Sequence, residues 1–177
     1  MCGIIGYTGS KSAKSILMAG LSRLEYRGYD GAGIAVMDLT GKTTVLKSSG
    51  KLNQLEGAMK STEMEGTTGI GHTRWATHGG PTQENAHPHT DCKNEVAVVH
   101  NGIVENFLDL RRELEESGHT FSSQTDSECI SHLMEMHLDQ GDSLELAARK
   151  TALRIKGAHA VLVTARQEPG KIVAFRL

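Results

Sequence analysis

The chain begins with MCGIIGYT at residues 1–8, and the apolar run that starts at Cys2 ends in turn residues. Such a run predicts a short β-strand. Cys2 becomes the N-terminal residue once an aminopeptidase removes Met1, and its free α-amine, with an ordinary pKa of about 8, would then lie beside the thiol as a proton acceptor. A buried strand cysteine is the plainer interpretation. Gly3 and Gly6 slightly favour the interpretation of Cys2 as a reactive residue, because glycine lets a backbone or a ligand approach closely.

Outward from this strand, the hydrophobic pattern alternates between helical and strand spacing. Two predicted strands are joined by a hairpin at Thr40-Gly41-Lys42. The order of elements predicts an α/β or α+β layered domain. The chain ends inside its last apolar run, which predicts a domain that is incomplete at its C-terminus. The predicted helices cover residues 12–26, 52–60, 105–117, 127–139 and 144–155, and the predicted strands cover residues 2–8, 33–39, 43–47, 68–73, 95–100, 158–165 and 171–176.

The length of 177 residues fits one domain with a substantial core. Lys and Arg together number 19 against 21 Asp and Glu, and aromatic residues make up only 4%. This composition argues against a basic nucleic-acid-binding surface and against a base-stacking platform. No apolar run reaches the roughly 20 residues of a membrane span, and the N-terminus lacks the pattern of a signal peptide. We therefore expect no nucleic-acid or membrane partner, and a cytoplasmic location.

The three cysteines, Cys2, Cys92 and Cys129, are odd in number and widely spaced. They make a poor disulfide framework, which suits a reducing compartment. Cys129 falls in an apolar helical stripe and is predicted to lie in the core. Cys92 stands among polar residues and is interpreted as incidental. Cys2 is therefore the cysteine whose position has chemical meaning.

Two dense polar segments follow predicted strands. The segment GHTRWATHGG at residues 71–80 contains Arg74, whose planar guanidinium suits a carboxylate, although a solvated surface arginine is an equal alternative. His100-Asn101-Gly102 closes another strand, and an Asn amide beside a Gly N–H is a donor pair of the kind that an oxyanion hole requires. A plain turn is the alternative there, since Asn-Gly is a strong turn dipeptide.

Histidines cluster in the same region, which raises a metal site as another alternative. His87-Pro88-His89 would place both imidazoles on one face if the segment is extended. No H-E-x-x-H or C-x-x-C pair is present, however, and the spacings match no familiar zinc arrangement. We therefore expect no metal at these residues, which are His72, His78, His87, His89 and His100, with Cys92 nearby.

Six motifs in a fixed order across residues 2–126 resemble one family. They are similar to the glutaminase domain of the class II, N-terminal-nucleophile amidotransferases. Within that family, YRGYD and TRWATHG resemble the branch of glutamine–fructose-6-phosphate aminotransferases rather than the amidophosphoribosyltransferase branch. The motifs are CGIIG (residues 2–6), LEYRGYDGAG (24–33), HTRWATHG (72–79), NAHPH (85–89), HNGIVEN (100–106) and Thr125-Asp126.

The resemblance implies an α+β fold, a four-layer αββα sandwich with the nucleophile at the start of an inner strand. It implies that Cys2 attacks the side-chain amide of glutamine while its own α-amine moves the proton. Asn101 and the Gly102 N–H would hold the oxyanion, and water would hydrolyse the γ-glutamyl thioester without a metal or an organic cofactor. Arg74 would bind the α-carboxylate of glutamine, and Asp126 its α-ammonium.

The resemblance also implies a shell around these groups. Trp75, Thr77 and His78 would line the loop that closes over glutamine, and Arg27 and His87 would support the site from nearby. The ammonia would serve synthesis of glucosamine 6-phosphate from fructose 6-phosphate in the full-length enzyme, which is expected to be a homo-oligomer. Its sugar-isomerase domains would be absent from residues 1–177, which would form an incomplete glutaminase domain.

Two positions depart from the pattern of this branch. Gln124 stands where glutamate is common, and Gly31 stands where serine is usual. Neither departure removes a catalytic group, so we expect the activity to be modified rather than lost. Two alternatives stay open here: a glutaminase domain that serves a different ammonia acceptor, and an inactive module that keeps the fold and binds glutamine.

Overall fold

Two antiparallel sheets of four strands form the centre of the computed structural model, which describes residues 2–76 and 78–177. The strands are β1 (Gly3–Thr8), β2 (Gly31–Met37), β3 (Thr43–Ser49), β4 (Thr68–Arg74), β5 (His89–Thr90), β6 (Val96–Gly102), β7 (His159–Ala165) and β8 (Val173–Arg176). The first sheet has the strand order β1-β4-β2-β3, and the second has the order β5-β6-β7-β8.

The predicted strands are confirmed with ends that shift by a few residues, but β5 was not predicted. It covers only His89 and Thr90, and it follows Pro88. A two-residue strand carries neither the length nor the alternation by which strands are predicted. It pairs with β6 at the edge of the second sheet, a place where proline is tolerated.

Helices cover the outer faces of both sheets. They are α1 (Ala13–Leu24), α2 (Leu52–Met59), α3 (Phe107–Glu116), α4 (Glu128–Asp139) and α5 (Leu144–Arg154), with a short 3₁₀ turn at Glu25–Arg27 after α1. The predicted helices are confirmed. α1 and α2 pack on the first sheet, whereas α4 and α5 pack on the second and α3 packs against α4. Within the described residues, no helix is both long and apolar enough to cross a bilayer.

Three apolar clusters lie between these layers. One joins α1 and α2 to the first sheet, one joins the second sheet to its helices, and a smaller one joins the two sheets. The order of layers is therefore helix, sheet, sheet, helix, and the predicted α+β, four-layer αββα sandwich is confirmed. Representative members are Leu17, Leu21 and Ile34 in the first cluster, Val98, Ile130 and Leu133 in the second, and Ala35, Ile70, Ala97 and Val99 between the sheets.

The pairing of β1 with β4 fixes the position of Cys2. Gly3 is opposite Thr73 in this antiparallel register, so Cys2 lies beside Arg74 where the two strands end. In the second sheet, β6 ends at Gly102. Because β6 packs against both β1 and β4, strand ends from the two sheets come together at one edge of the sandwich.

Candidate active site

The strand ends of both sheets border a cavity of about 670 Å³. This volume suits a small ligand. Most of the residues that the sequence predicts for the site line this cavity, whereas Thr77 lies outside the described residues. The predicted residues in the cavity wall are Cys2, Arg27, Arg74, Trp75, His78, His87, Asn101, Gly102 and Asp126.

The Cys2 sulfur is held by the chain that follows β4. The Trp75 backbone N–H donates to Cys2 Sγ at 3.1 Å, and the same sulfur lies 3.5 Å from the Trp75 backbone oxygen. These two contacts fix the position of the sulfur at the cavity wall. The Trp75 ring is 44% exposed and packs edge-on against Tyr29, with ring centroids 5.2 Å apart.

The side-chain amide of Asn101 is oriented from both ends. Its Nδ2 donates to the Cys2 backbone oxygen at 3.0 Å, and its Oδ1 lies 3.0 Å from His72 Nε2. Burial lowers the pKa of His72 to about 4, so the ring is neutral at pH 7. Both neighbours of Nε2, Asn101 Oδ1 and the His100 backbone oxygen at 3.2 Å, are acceptors, so Nε2 carries the proton. The amide NH₂ group is thereby fixed toward Cys2.

Gly102 occupies a backbone position that excludes a side chain. Its φ is 145°, and a Cβ there would lie 2.2 Å from the Ala158 backbone oxygen. Glycine adopts such a conformation without the strain that other residues would carry. Asn101 and Gly102 are the last residues of β6, so the plain-turn alternative for this dipeptide is wrong.

Arg74 is buried and binds the loop that follows it. The guanidinium donates to the backbone oxygens of residues 78–80. Burial lowers the pKa of Arg74, while the nearby Cys2, Asp30 and Asp126 raise it. Arginine nevertheless stays charged at neutral pH. The alternative of a solvated surface arginine is therefore wrong, and the cavity wall contains a permanent positive charge.

Asp126 contributes a carboxylate to the same wall and is only 3% exposed. Its Oδ2 accepts a hydrogen bond of 2.6 Å from the Val104 backbone N–H, and its Oδ1 lies 3.9 Å from His78 Nδ1. The His78 ring packs edge-on against Phe107. The cavity is therefore lined by one buried group of each sign, an arrangement that suits a zwitterionic ligand.

A group of buried, neutral histidines supports the cavity. The ring centroid of His87 lies 4.2 Å from that of His72 and 4.5 Å from that of His89. Burial lowers the pKa of His100 to about 3 and those of His87 and His89 well below the usual range. Among the described residues, the side chains close enough to share a metal ion form a different group around Cys92. None of the five histidines considered in the sequence belongs to that group.

Acid should destabilise the fold through these rings. In the unfolded chain each histidine takes up a proton near pH 6.5, whereas folded His72 and His100 do so only near pH 4 and pH 3. As the pH falls below 6.5 the unfolded state binds more protons, so the free energy of unfolding should decrease by about 1.4 kcal/mol per pH unit for each such histidine. Urea denaturation between about pH 7.5 and about pH 5 measures this slope. A free energy of unfolding that stays constant across this window would contradict the burial of neutral imidazoles.

Sequence reasoning missed two residues that position the site. His72, considered there only as a metal ligand, orients Asn101. Asp30 holds the chain after β4: its backbone N–H donates to the Arg74 oxygen at 3.0 Å, and its Oδ2 accepts from the Ala76 N–H at 3.0 Å. The position of Asp30 inside the YRGYD motif was the signal that could have identified it.

The departure at Gln124 is accommodated by an amide pair. The Gln124 backbone N–H donates to Asn85 Oδ1 at 2.9 Å, and Asn85 Nδ2 donates to Gln124 Oε1 at 3.4 Å. A neutral amide thus occupies this place, two residues before Asp126. Its effect on activity stays a prediction.

Comparison with known proteins assigns the chain to a family. The profile of a family described as glutamine amidotransferase domain matches residues 72–176, more than half of the chain. The chain belongs to the glutamine amidotransferase family. The family resemblance read from the motifs is confirmed.

Sequence relatives of this glutamine amidotransferase include proteins named glutamine–fructose-6-phosphate aminotransferase (isomerizing). Identity is 49% to that of Pyrococcus horikoshii, 51% to that of Aquifex aeolicus and 52% to that of Thermus thermophilus. Each match covers 99% of this chain but only 28–29% of the relative. The chain therefore spans less than a third of the length of these curated relatives, and the branch indicated by YRGYD and TRWATHG is confirmed.

Solved structures agree with the fold assignment. The glutamine phosphoribosylpyrophosphate amidotransferase from B. subtilis is 29% identical and superposes with a TM-score of 0.78 over 94% of this chain and 35% of its own. A structure described as the allosteric regulatory enzyme of purine biosynthesis gives 30% identity and a TM-score of 0.79 over 94% of this chain and 36% of its own. The protein is a class II glutamine amidotransferase with the N-terminal-nucleophile hydrolase fold.

Proposed function

We propose that residues 1–177 act as the glutaminase domain of a larger enzyme, with Cys2 as the nucleophile. The observation that carries this proposal is one cavity wall that combines a sulfur, an oriented carboxamide and two buried charges of opposite sign. Binding and hydrolysing a zwitterionic amide requires all of these groups. They are Cys2, Asn101, Arg74 and Asp126.

The two charges are suited to the two ends of the amino acid head group. Arg74 would receive the α-carboxylate of glutamine, and Asp126 its α-ammonium, each in a wall with little solvent to weaken the attraction. Because Arg74 already binds the carbonyls of residues 78–80, a carboxylate that docks on Arg74 would influence the loop that contains Trp75 and His78. Binding of the substrate would thus be linked to closure of this loop.

The proposed chemistry begins after removal of Met1. The free α-amine of Cys2 takes the thiol proton, and the sulfur attacks the side-chain carbonyl carbon of glutamine to form a carbon–sulfur bond. The oxyanion receives hydrogen bonds from Asn101 Nδ2 and the Gly102 N–H. The ammonium then gives its proton to the amide nitrogen, the carbon–nitrogen bond breaks and ammonia leaves. Water hydrolyses the thioester, which releases glutamate and returns the thiol.

Neutral histidines favour this mechanism. Arg27 and His87 line the cavity beside the reacting groups, and His87 carries no charge at pH 7 because burial lowers its pKa. An imidazole whose pKa lies well below 7 is a weak base, so His87 would not compete with the α-amine for the thiol proton. The permanent cations of the cavity wall are then Arg74 and Arg27.

The ammonia acceptor is proposed from the names of the relatives. We infer that the nitrogen passes to fructose 6-phosphate in sugar-isomerase domains of the longer protein, which would form glucosamine 6-phosphate. Glutamine labelled with a heavy isotope at its amide nitrogen should transfer the label to the amino sugar in the full-length enzyme. Label that appears only in free ammonia, with fructose 6-phosphate present, would favour another acceptor.

The proposed thiol nucleophile also indicates the cellular compartment in which the enzyme acts. All three cysteines lie within the described residues, and none is paired in a disulfide. The mechanism requires Cys2 to stay reduced, so we propose that the enzyme acts in a reducing compartment, the cytoplasm.

Hydroxylamine tests the proposed thioester, because it competes with water for an acyl group. During glutamine turnover we expect γ-glutamyl hydroxamate to form at the expense of glutamate, in a ratio that rises with hydroxylamine concentration. The two products are separated and quantified by liquid chromatography. Glutamate as the sole product at every hydroxylamine concentration would favour direct attack by water and would contradict the covalent route.

Asp126→Asn should raise the KM for glutamine about 100-fold, because a buried charge partner of the α-ammonium is lost. The asparagine keeps an oxygen for the Val104 N–H, so the fold is expected to persist. The matched control is a glutamine analogue that lacks the α-amino group. For this analogue the substitution should change KM little, and an equal loss with both substrates would contradict the proposed contact.

A further inference from the structure

Four side chains of types that commonly bind metal ions lie close together outside the glutamine cavity. Cys92 follows β5, His119 follows α3, and His132 and Glu135 lie on one face of α4. One ligand atom from each lies within 4.8 Å of every other. Across residues 2–76 and 78–177, no second group of three or more such side chains comes this close. The interpretation of Cys92 as incidental misses this group.

Four of the six distances between the ligand atoms are close to the edges of a tetrahedral zinc site, and the other two are no longer than 4.8 Å. Ordinary zinc bond lengths give edges of about 3.5 Å between sulfur and nitrogen and about 3.3 Å between nitrogen and oxygen. Cys92 Sγ lies 3.6 Å from His132 Nδ1 and 3.8 Å from His119 Nδ1. Glu135 Oε2 lies 3.4 Å from His132 Nδ1 and 2.9 Å from His119 Nδ1. All four distances agree with the tetrahedral edges to within a few tenths of an ångström.

Neighbouring groups contact two of the four side chains from outside the group. His132 directs Nδ1 at the group, and its other ring nitrogen lies 3.7 Å from Glu128 Oε1. At this distance Glu128 is a charged neighbour of the ring, and it does not form a hydrogen bond with this nitrogen. The Thr120 backbone N–H donates to Cys92 Sγ at 3.4 Å and orients the sulfur.

The charge of the four side chains and their access to solvent are also suited to a divalent metal ion. One thiolate and one carboxylate neutralise a divalent ion when both imidazoles are neutral. Lys93 Nζ lies 3.9 Å from Glu135 Oε1, which leaves Oε2 directed at the two histidines. His132 and Glu135 are buried, whereas Cys92 is exposed, so an ion reaches the group from solvent without unfolding the helix layer.

We propose that Cys92, His119, His132 and Glu135 bind one Zn²⁺ ion as a structural site. A ligand set with one sulfur, two nitrogens and one carboxylate oxygen favours zinc over magnesium or calcium, which prefer oxygen alone. The ion joins the Cys92 loop and the loop after α3 to α4. Residues 125–127, which precede α4, line the glutamine cavity, so the site would steady one wall of that cavity.

Zinc and cobalt chlorides test the site in a chain with Cys2→Ala, because an N-terminal cysteine and its α-amine can themselves chelate zinc. Calorimetry should show one equivalent of Zn²⁺ bound. At about 100-fold excess over Kd, zinc should raise Tm by about 5–10 °C. Co²⁺ should produce the visible absorption of a four-coordinate ion together with a thiolate charge-transfer band.

Variants then assign the ligands. Cys92→Ser and His132→Gln should each weaken zinc binding by about 100-fold or more and remove or alter the cobalt spectrum. The matched control is His137→Gln, a histidine of the same helix outside the group, which should keep Kd within about threefold. An unchanged Kd in Cys92→Ser, or no stoichiometric zinc binding by the parent, would overturn the proposal. So would a cobalt complex of the parent without thiolate character, a result that does not depend on the folding of any cluster variant.

Discussion

Replacing Cys2 with alanine should lower the kcat of glutamine hydrolysis by about 10⁴-fold or more and leave the Kd for the product glutamate within about threefold of the parent value. The substitution removes the sulfur atom that forms the thioester. The charges proposed to bind the substrate, Arg74 and Asp126, belong to other strands and loops and are not altered. Glutamate release measures kcat, and calorimetry measures Kd.

Cys92→Ser is the matched control for this substitution. Cys92 is a free cysteine like Cys2, but it does not line the cavity, so we expect glutaminase activity within about twofold of the parent when both proteins are assayed with a chelator that keeps them free of zinc. A Cys2→Ala variant that keeps more than about one hundredth of the parent kcat would contradict nucleophilic catalysis by Cys2. A large loss in Cys92→Ser as well would show that thiol substitution disturbs the fold rather than the chemistry.

Asn101→Ala should lower kcat by about 10²–10³-fold with little change in KM. The Asn101 NH₂ group is fixed toward Cys2 by the neutral His72 ring, so its N–H bonds require no reorganisation when the oxyanion forms. A group that acts mainly on the transition state affects kcat more than substrate binding. Steady-state kinetics separates these two quantities.

A substrate analogue distinguishes catalysis by Asn101 from a structural role. The aldehyde of glutamate adds to a thiol and gives a tetrahedral adduct that resembles the intermediate, whereas glutamate itself does not. Asn101→Ala should weaken binding of the aldehyde about as much as it lowers kcat and should leave the Kd for glutamate nearly unchanged. Asn53→Ala, at an exposed position on α2, is the control. Equal weakening of both ligands by Asn101→Ala would contradict the oxyanion role.

Most of the fold could be predicted because its elements follow simple hydrophobic periodicities. Helix α4 and strand β6 have long apolar patterns, and their bounds agree with the prediction to within a few residues. The short strand β5 has no such pattern, since its two residues extend only because β6 offers a free edge. Its existence depends on tertiary pairing rather than on local sequence.

The contacts of the site were less predictable than its residues. The motifs indicated Arg74 and Asn101 as functional, but not their partners. Asn101 meets His72 across the two sheets, and Arg74 binds carbonyls of its own loop. Such contacts depend on how the sheets are stacked and on the path of a loop, which residue types alone do not determine.

The proposed zinc site was even harder to predict from the sequence. It is formed by Cys92, His119, His132 and Glu135. Cys92 is separated from His119 by 27 residues and from His132 by 40, and no short spacing motif connects them. They meet because β5 runs beside α4 and because the loop after α3 returns to the same face. A search for spacing motifs could therefore not identify this group.

Acid quenching of the full-length protein during glutamine turnover, followed by mass spectrometry, observes the proposed nucleophile itself. We predict a mature chain that lacks Met1 and a γ-glutamyl adduct on the peptide that begins with Cys2. The adduct should be absent from Cys2→Ala. An active protein that retains Met1, or an adduct that maps to any other residue, would contradict catalysis by an N-terminal cysteine.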